Sequence, residues 1–164
     1  MKSLLLPALF AALLSQAAAA ETFKLPNDNP AVIVTLPDTW SPAEDDGWVE
    51  ATSDDDEMFV AFEVTGLMDF EESLKETIQY LADEGVTVDT DSESKSPFKI
   101  NGMDGMEVAW KGTDKDGDVS VSLSVIAVAP DKVLLLTYWS TPKGDTEQAP
   151  MLREILKSIR KIES

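Results

Sequence analysis

Alternation of apolar and polar side chains in the second half of the chain constrains its fold more than any other feature. In DVSVSLSVIAVA, Val119, Val121 and Leu123 alternate with serines, and GMEVAWK and KVLLLTYW are similarly rich in strand-forming residues. A period of two places successive side chains on opposite faces of a strand. Asp116-Gly117 and Pro130-Asp131 supply the turns between them. The pattern predicts consecutive antiparallel strands at 105–111, 118–129 and 132–139.

The first half of the mature chain contains further strand signals. AVIVTLPDTW (31–40) is an apolar, β-branched run ended by a Pro-Asp turn, and GWVEAT (47–52) and MFVAFEV (58–64) follow it. The acidic SDDDE between the last two segments suits a hairpin loop. DTDSESKS (89–96) is so polar that we expect a solvated loop there.

Two segments change to the period of a helix. Within 68–86, Asp69 and Glu72 have the spacing of a capping box, and Gly85 suits the left-handed position that ends a helix. The apolar stripe of this helix is predicted at Phe70, Leu74, Ile78 and Leu81. A second stripe, in the closing segment, is predicted at Leu152, Ile155, Leu156, Ile159 and Ile162.

The order of these elements is strands, helix, antiparallel strands, helix. That order predicts an α+β fold, in which helices pack on one central antiparallel β-sheet. Neither a repeat nor a linker divides the chain, so residues 21–164 are predicted to form a single domain.

The start of the sequence has the pattern of a secretory signal peptide. Residues 1–20 contain Lys2, a short apolar run, and small residues ending at Ala20. The apolar run is too short to span a bilayer. We therefore expect cleavage after Ala20, a periplasmic or secreted mature protein, and no membrane span in its mature form.

The composition excludes several kinds of chemistry. The chain has no Cys and no His, which removes thiolate and imidazole ligands and Ser-His-Asp catalysis. Its formal net charge of −18 opposes binding to nucleic acid. A hydrolase using carboxylates, or a Ser-Lys pair drawn from Ser120, Ser122 or Ser124 with Lys111 or Lys132, is the weakest of the hypotheses. These serines are predicted to face solvent.

A candidate metal site lies in GTDKDGDVSV. Asp114, Asp116 and Asp118 occupy alternate positions, as oxygen ligands do at the start of an EF-hand loop. The expected glycine and the closing glutamate are missing at positions 6 and 12, where Val119 and Val125 stand. A hairpin turn is the favoured interpretation. The alternative is a weak calcium site, which the acidic loops SDDDE (53–57) and AEDDG would join if the three loops met at one end of the sheet.

The tryptophans supply a second candidate surface. Trp110 and Trp139 lie in predicted strands and suit the core. Trp40 and Trp48 flank the acidic loop SPAEDDG, where they would line a groove for a ligand or partner, or else cover the edge of the sheet.

The sequence also resembles a known family. The strand ending in TLPDTW (35–40), the middle helix, the hairpin containing NGMDGMEVAW (101–110) and the closing LREILKSIRKI (152–162) together resemble the PsbP-like fold superfamily. The resemblance covers nearly the whole mature chain and implies an α/β/α sandwich with a central antiparallel sheet. It implies no shared catalytic residues.

These observations favour a non-enzymatic accessory or binding domain of the cell envelope. We expect a monomer that contacts an envelope protein and requires no cofactor. The alternative is a weak divalent-cation binder that uses the acidic loops.

Overall fold

A computed structural model describes residues 19–45 and 47–162, and these residues form two antiparallel sheets, three α-helices and a single turn of 3-10 helix at Asp38–Trp40. The predicted signal peptide lies outside the described residues, apart from Ala19 and Ala20. Within the described ranges, no helix is both long and apolar enough to cross a membrane. The strands are β1 (Ala20–Leu25), β2 (Val32–Pro37), β3 (Ala43–Asp45), β4 (Trp48–Thr52), β5 (Met58–Gly66), β6 (Thr87–Ile100), β7 (Met103–Thr113), β8 (Asp118–Ala129), β9 (Lys132–Ser140) and β10 (Arg160–Lys161).

The larger sheet has seven strands in the order β3-β4-β5-β9-β8-β7-β6. Consecutive strands from β6 to β9 are hydrogen-bonded neighbours, as the turn signals predicted, and β5 returns beside β9. A smaller sheet, β1-β2-β10, contains the predicted strand of residues 31–40. The α+β prediction is confirmed, but the strands divide between two sheets instead of one.

The two faces of the seven-stranded sheet bury different partners. The larger core lies between this sheet, the small sheet and helix α3 (Ala149–Ser158), and it includes Leu36, Phe62, Ile126 and Ile155. The opposite face packs Val119, Val121 and Leu123 against Leu81 of helix α1 (Phe70–Asp83). A short helix α2 (Pro142–Glu147), which the sequence patterns did not reveal, precedes α3.

Helix α1 ends as predicted but begins and packs differently. Gly85 has φ +82°, and the N–H of Val86 donates to the carbonyl of Leu81, which is a Schellman ending. The Asp69 side chain makes no capping hydrogen bond. Ile78 is 52% exposed. The buried positions are instead Ser73, Thr77 and Leu81. The two hydroxyl groups can be buried against the sheet because each finds a hydrogen-bond partner close by.

Two other predictions are corrected by pairing across the chain. Residues 89–96 are not a loop: they belong to edge strand β6, with an irregular register between Asp89 and Ser94. An edge strand tolerates charged residues because only one side of its backbone must pair. Helix α3 ends at Ser158 instead of continuing to Ile162, since the Asn101 amide donates to the carbonyls of Leu156 and Ile159 and the chain then pairs with β2.

Candidate functional site

A cleft of about 560 Å³ lies between α3 and strands β6 to β9 of the seven-stranded sheet. Its volume is within the range of small-molecule sites in proteins. The lining residues are Phe98, Lys99, Ile100, Asn101, Glu107, Ser122, Ser124, Ile126, Leu136, Tyr138, Leu152, Leu156 and Lys157.

One end of the cleft is apolar because strand and helix periods converge there. Phe98 and Ile126 both flank Gly105 in register, one on each neighbouring strand. Alternation therefore places them on the same face of the sheet. Leu152 and Leu156 are four residues apart on α3, so both project from one side of that helix toward the sheet.

The other end of the cleft is polar, and the strand register explains why. Glu107 of β7 lies opposite Ser124 of β8, and Ser122 lies opposite Tyr138 of β9. Side chains at opposed and diagonal positions on one face are close neighbours. The residues at even positions of β8 change from serine to Ile126 and then Val128, so a single strand carries the transition from polar to apolar.

Two hydroxyl groups in this polar end lack partners within the described chain. Ser122 and Ser124 are only 8% and 5% exposed. Neither hydroxyl makes a hydrogen bond to another described residue, although both line the cleft. The expectation that the serines lie on an open solvent-facing surface is therefore wrong for Ser122 and Ser124, which lie in the cleft between the sheet and α3. The two residues are mostly buried, but their hydroxyl oxygens remain accessible from the cleft, where a ligand could bind them.

A hydrogen-bonded cluster borders the polar end. Asp145 of α2 accepts hydrogen bonds from the Tyr138 hydroxyl and from Ser120 Oγ, the latter at 2.8 Å. Burial raises the pKa of Tyr138, and the bond to Asp145 raises it further. Tyr138 therefore remains a neutral donor at ordinary pH. The Thr141 side chain accepts from Gly144 N at 3.1 Å and so fixes the start of α2.

The hydroxyl groups of the β8 serines differ in what they contact. Among the described residues, no base is hydrogen-bonded to Ser122 or Ser124, and Ser120 donates to a carboxylate. Lys132 Nζ donates to the Asn29 carbonyl at 3.0 Å. Lys111 lies opposite Ser120 in register but is not hydrogen-bonded to it within the described chain. The Ser-Lys pair, which was the weakest of the hypotheses, is thus not assembled among these described residues.

The structure places Asp114, Asp116 and Asp118 on the β7–β8 hairpin. Asp114 Oδ1 accepts from the backbone N–H groups of Asp116 and Gly117, at 2.8 and 3.1 Å, while Asp118 begins β8. An aspartate in this position stabilises a turn. Across residues 19–45 and 47–162, no three acidic side chains are grouped so that they could hold a metal ion.

The acidic loop at 53–57 is also organised by local bonds. Ser53 Oγ donates to Asp55 at 2.6 Å, and this bond lowers the pKa of Asp55. The Thr141 hydroxyl and then Lys143 lower the pKa of Glu57. These carboxylates have protein partners of their own and do not point into the cleft.

The predicted groove between Trp40 and Trp48 does not form. Trp40 is only 1% exposed and belongs to the larger core. Trp48 lies on the α1 side of the structure, where its ring meets that of Tyr80 edge-on with centroids 4.9 Å apart. The seven-stranded sheet separates the two tryptophans. Trp40 ends a turn that packs beneath one face of this sheet, whereas Trp48 begins β4 and its side chain lies on the opposite face.

Sequence reasoning did not identify the cleft, although the serine pattern carried a signal. Serines alternating with buried valines suggest a solvated face only if nothing covers it. Ile126 and Val128 lie on the same face of β8 as the serines, so another element had to cover part of that face. The serine-bearing part would then lie at the border of the covered region.

These elements define a PsbP-like α+β fold. The chain is similar in structure to the cyanobacterial PsbP protein CyanoP from Synechocystis sp. PCC 6803, with a TM-score of 0.59 and 8% identity over 88% of this chain and 94% of the other. It is also similar to LpqN of Mycobacterium tuberculosis, with a TM-score of 0.53 and 13% identity over 88% and 92% of the two chains.

A third similar structure comes from Bacteroides thetaiotaomicron VPI-5482. Its TM-score is 0.57 at 14% identity, and the match covers 87% of this chain but 48% of that one. No protein-family model matches the sequence, and no curated protein sequence matches it significantly. Likeness at such low identity establishes the fold, and function must be argued from the cleft.

Proposed function

We propose that this chain is an exported accessory domain of the cell envelope that binds a ligand in the cleft and does not catalyse a reaction. The observation that carries the proposal is the composition of the cleft. An apolar wall formed by the strands and α3 ends at the hydroxyl groups of two mostly buried serines, Ser122 and Ser124, which make no hydrogen bond to another described residue. Mostly apolar concave sites with a few placed polar groups are typical of ligand binding.

The envelope location rests on two supporting lines. The first 20 residues have the pattern of a signal peptide, with cleavage after Ala20. LpqN, which shares the fold, is described as involved in cell envelope biogenesis. The proposed mature domain is a monomer, and its strongly negative charge directs it away from nucleic acid.

Binding in the cleft can be tested with a neutral apolar fluorophore, N-phenyl-1-naphthylamine. The purified protein should give a saturable rise in its fluorescence. Leu156→Gln removes part of the apolar wall, so we expect its affinity to fall about fivefold or more. Ile78→Gln is the matched control, because Ile78 is exposed on α1 across the sheet. An unsaturable signal, or equal losses in both variants, would refute binding in the cleft.

Export is tested separately in a bacterial host that expresses residues 1–164. The proposal predicts a periplasmic or secreted protein whose intact mass corresponds to a chain beginning at Glu21. Recovery of the full-length chain in the cytoplasm, still beginning at Met1, would contradict it.

A further inference from the structure

We propose that the cleft binds a single-chain amphiphile whose polar end is a primary ammonium group, held by Glu107, Ser122 and Ser124. This inference rests on the proposed binding function and specifies its ligand class. It follows from the distribution of polarity and charge along the cleft.

The cleft has two chemically different ends that are set by the strand register. Moving along β8 from Ser122 to Ile126 crosses from hydroxyl groups to hydrocarbon within four residues. The neighbouring strands show the same change from polar to apolar. Glu107 lies opposite Ser124, whereas Gly105, which is covered by the Phe98 ring, lies opposite Ile126. A ligand that is uniformly polar or uniformly apolar would mismatch one end.

Charge complementarity selects a cation for the polar end. Glu107 is half-buried, lines the cleft, and forms neither an ion pair nor a side-chain hydrogen bond with another described residue. The two lysines at the rim are already paired: Lys99 with Asp104, and Lys157 with Glu154 at 2.7 Å. The cleft therefore presents one carboxylate without an ion-pair partner among the described residues, while its two lysines each have a nearby exposed carboxylate partner.

The number of donors points to a primary ammonium group. Such a group has three N–H donors and no acceptor. The Glu107 carboxylate and the two serine hydroxyls are three acceptor groups located at opposed and diagonal positions on adjacent strands. Hydrogen bonds between charged groups are the stronger kind, and desolvation of the chain on the apolar wall adds to them.

The test is displacement of N-phenyl-1-naphthylamine by decylammonium, decanol and decanoate, each below its micelle-forming concentration and at one ionic strength. These probes share a ten-carbon chain and differ in headgroup charge. For the wild-type protein we expect decylammonium to displace the fluorophore at a concentration about tenfold lower than decanoate does, with decanol between them.

Glu107→Gln should remove most of that preference while leaving decanol displacement unchanged. Glu72→Gln is the control, because it removes the same charge from an exposed position on α1 and so measures nonspecific attraction to an acidic protein. The double variant Ser122→Ala/Ser124→Ala should weaken displacement by decylammonium more than displacement by decanoate. Unfolding curves verify that each variant is folded.

Several outcomes would overturn the proposal. Equal displacement by the three probes, or an equal loss in the Glu107→Gln and Glu72→Gln proteins, would show that the cleft does not select an ammonium group. Stronger displacement by decanoate, abolished by Lys99→Met/Lys157→Met, would assign an anionic headgroup at the rim. In each case, saturable binding of the fluorophore would still support the proposed binding function. If the fluorophore does not bind at all, both the proposed function and the proposed ligand class are refuted.

Discussion

The ring of Phe98 lies directly over Gly105 on the neighbouring strand. The two residues are opposed in register, and a Cβ at position 105 would come within 2.5 Å of Phe98 Cζ. An aromatic ring covering a strand glycine compensates for the missing side chain. Phe98 lines the apolar end of the cleft, so its packing on Gly105 links the sheet to the proposed ligand site.

Gly105→Ala should push the Phe98 ring into the cleft. Because the ring is half-buried and can rotate, we expect destabilisation of only about 1 kcal/mol by urea unfolding, with a clear loss of fluorophore affinity. Phe98→Leu in the same background should relieve the conflict, so the two changes should be non-additive. Additive effects would mean that the ring and the glycine do not interact.

Gly144→Ala should be much more disruptive, because its conflict is with the main chain. A Cβ there would collide with the Glu57 carbonyl oxygen and Ser140 Oγ. We expect a loss of about 2 kcal/mol or more in the free energy of unfolding. Glu147→Ala, at an exposed site in the same helix, should change it by less than about 0.5 kcal/mol. If Gly144→Ala and Glu147→Ala both changed the free energy of unfolding only slightly, the close contact of Gly144 with the Glu57 main chain would be contradicted.

Glu63→Gln should stabilise the protein at neutral pH. Burial raises the pKa of Glu63, the Ser73 hydroxyl opposes that shift, and the nearby Glu76 charge adds to it. A carboxyl whose pKa is raised on folding contributes stability below its unfolded pKa of about 4.3, and this is lost as pH rises through its folded pKa.

The comparison is urea unfolding of wild-type and Glu63→Gln protein from pH 4 to pH 8. The free energy of unfolding of Glu63→Gln should exceed that of the wild type near pH 8, and the difference should decrease toward pH 4. Glu71→Gln, on the exposed side of α1, controls for net charge. A variant that is less stable than the wild type at pH 8 would contradict the assigned burial effect.

Asp114→Ala should weaken the β7–β8 hairpin. Its carboxylate accepts two backbone N–H groups, so its removal should cost about 1 kcal/mol of unfolding free energy. Asp116→Ala is the matched change within the same turn, and because the Asp116 side chain is exposed we expect a smaller loss. An equal loss from both would indicate that charge, and not the turn bonds, decides stability.

Calcium should act on this protein as an ordinary salt. Since Asp114 is engaged by the turn and no three described acidic side chains are grouped to hold a metal ion, melting temperatures in calcium chloride and in sodium chloride of equal ionic strength should agree. A calcium-specific rise that Asp114→Ala removes would establish the metal site that the aspartate spacing suggests.

The cleft was less predictable than the elements that surround it. Strand β8, its hairpin at Gly117 and the Schellman end of α1 follow from local patterns, which depend only on neighbouring residues. Trp40 and Trp48 are eight positions apart, yet they lie on opposite sides of the sheet. Sequence proximity could not reveal this, because a turn and one additional strand intervene.

The sequence by itself determined the α+β class, the alternating strands from Met103 to Ser140, and the exclusion of thiol and imidazole chemistry. Only the tertiary structure decided that Ser122 and Ser124 lie in a cleft beside α3 instead of on an open surface, and that Glu107 lines the same cleft. The physical reason is that alternation specifies two faces of a strand but not what covers each face. That depends on where helix α3, formed near the end of the chain, packs against strands formed well before it.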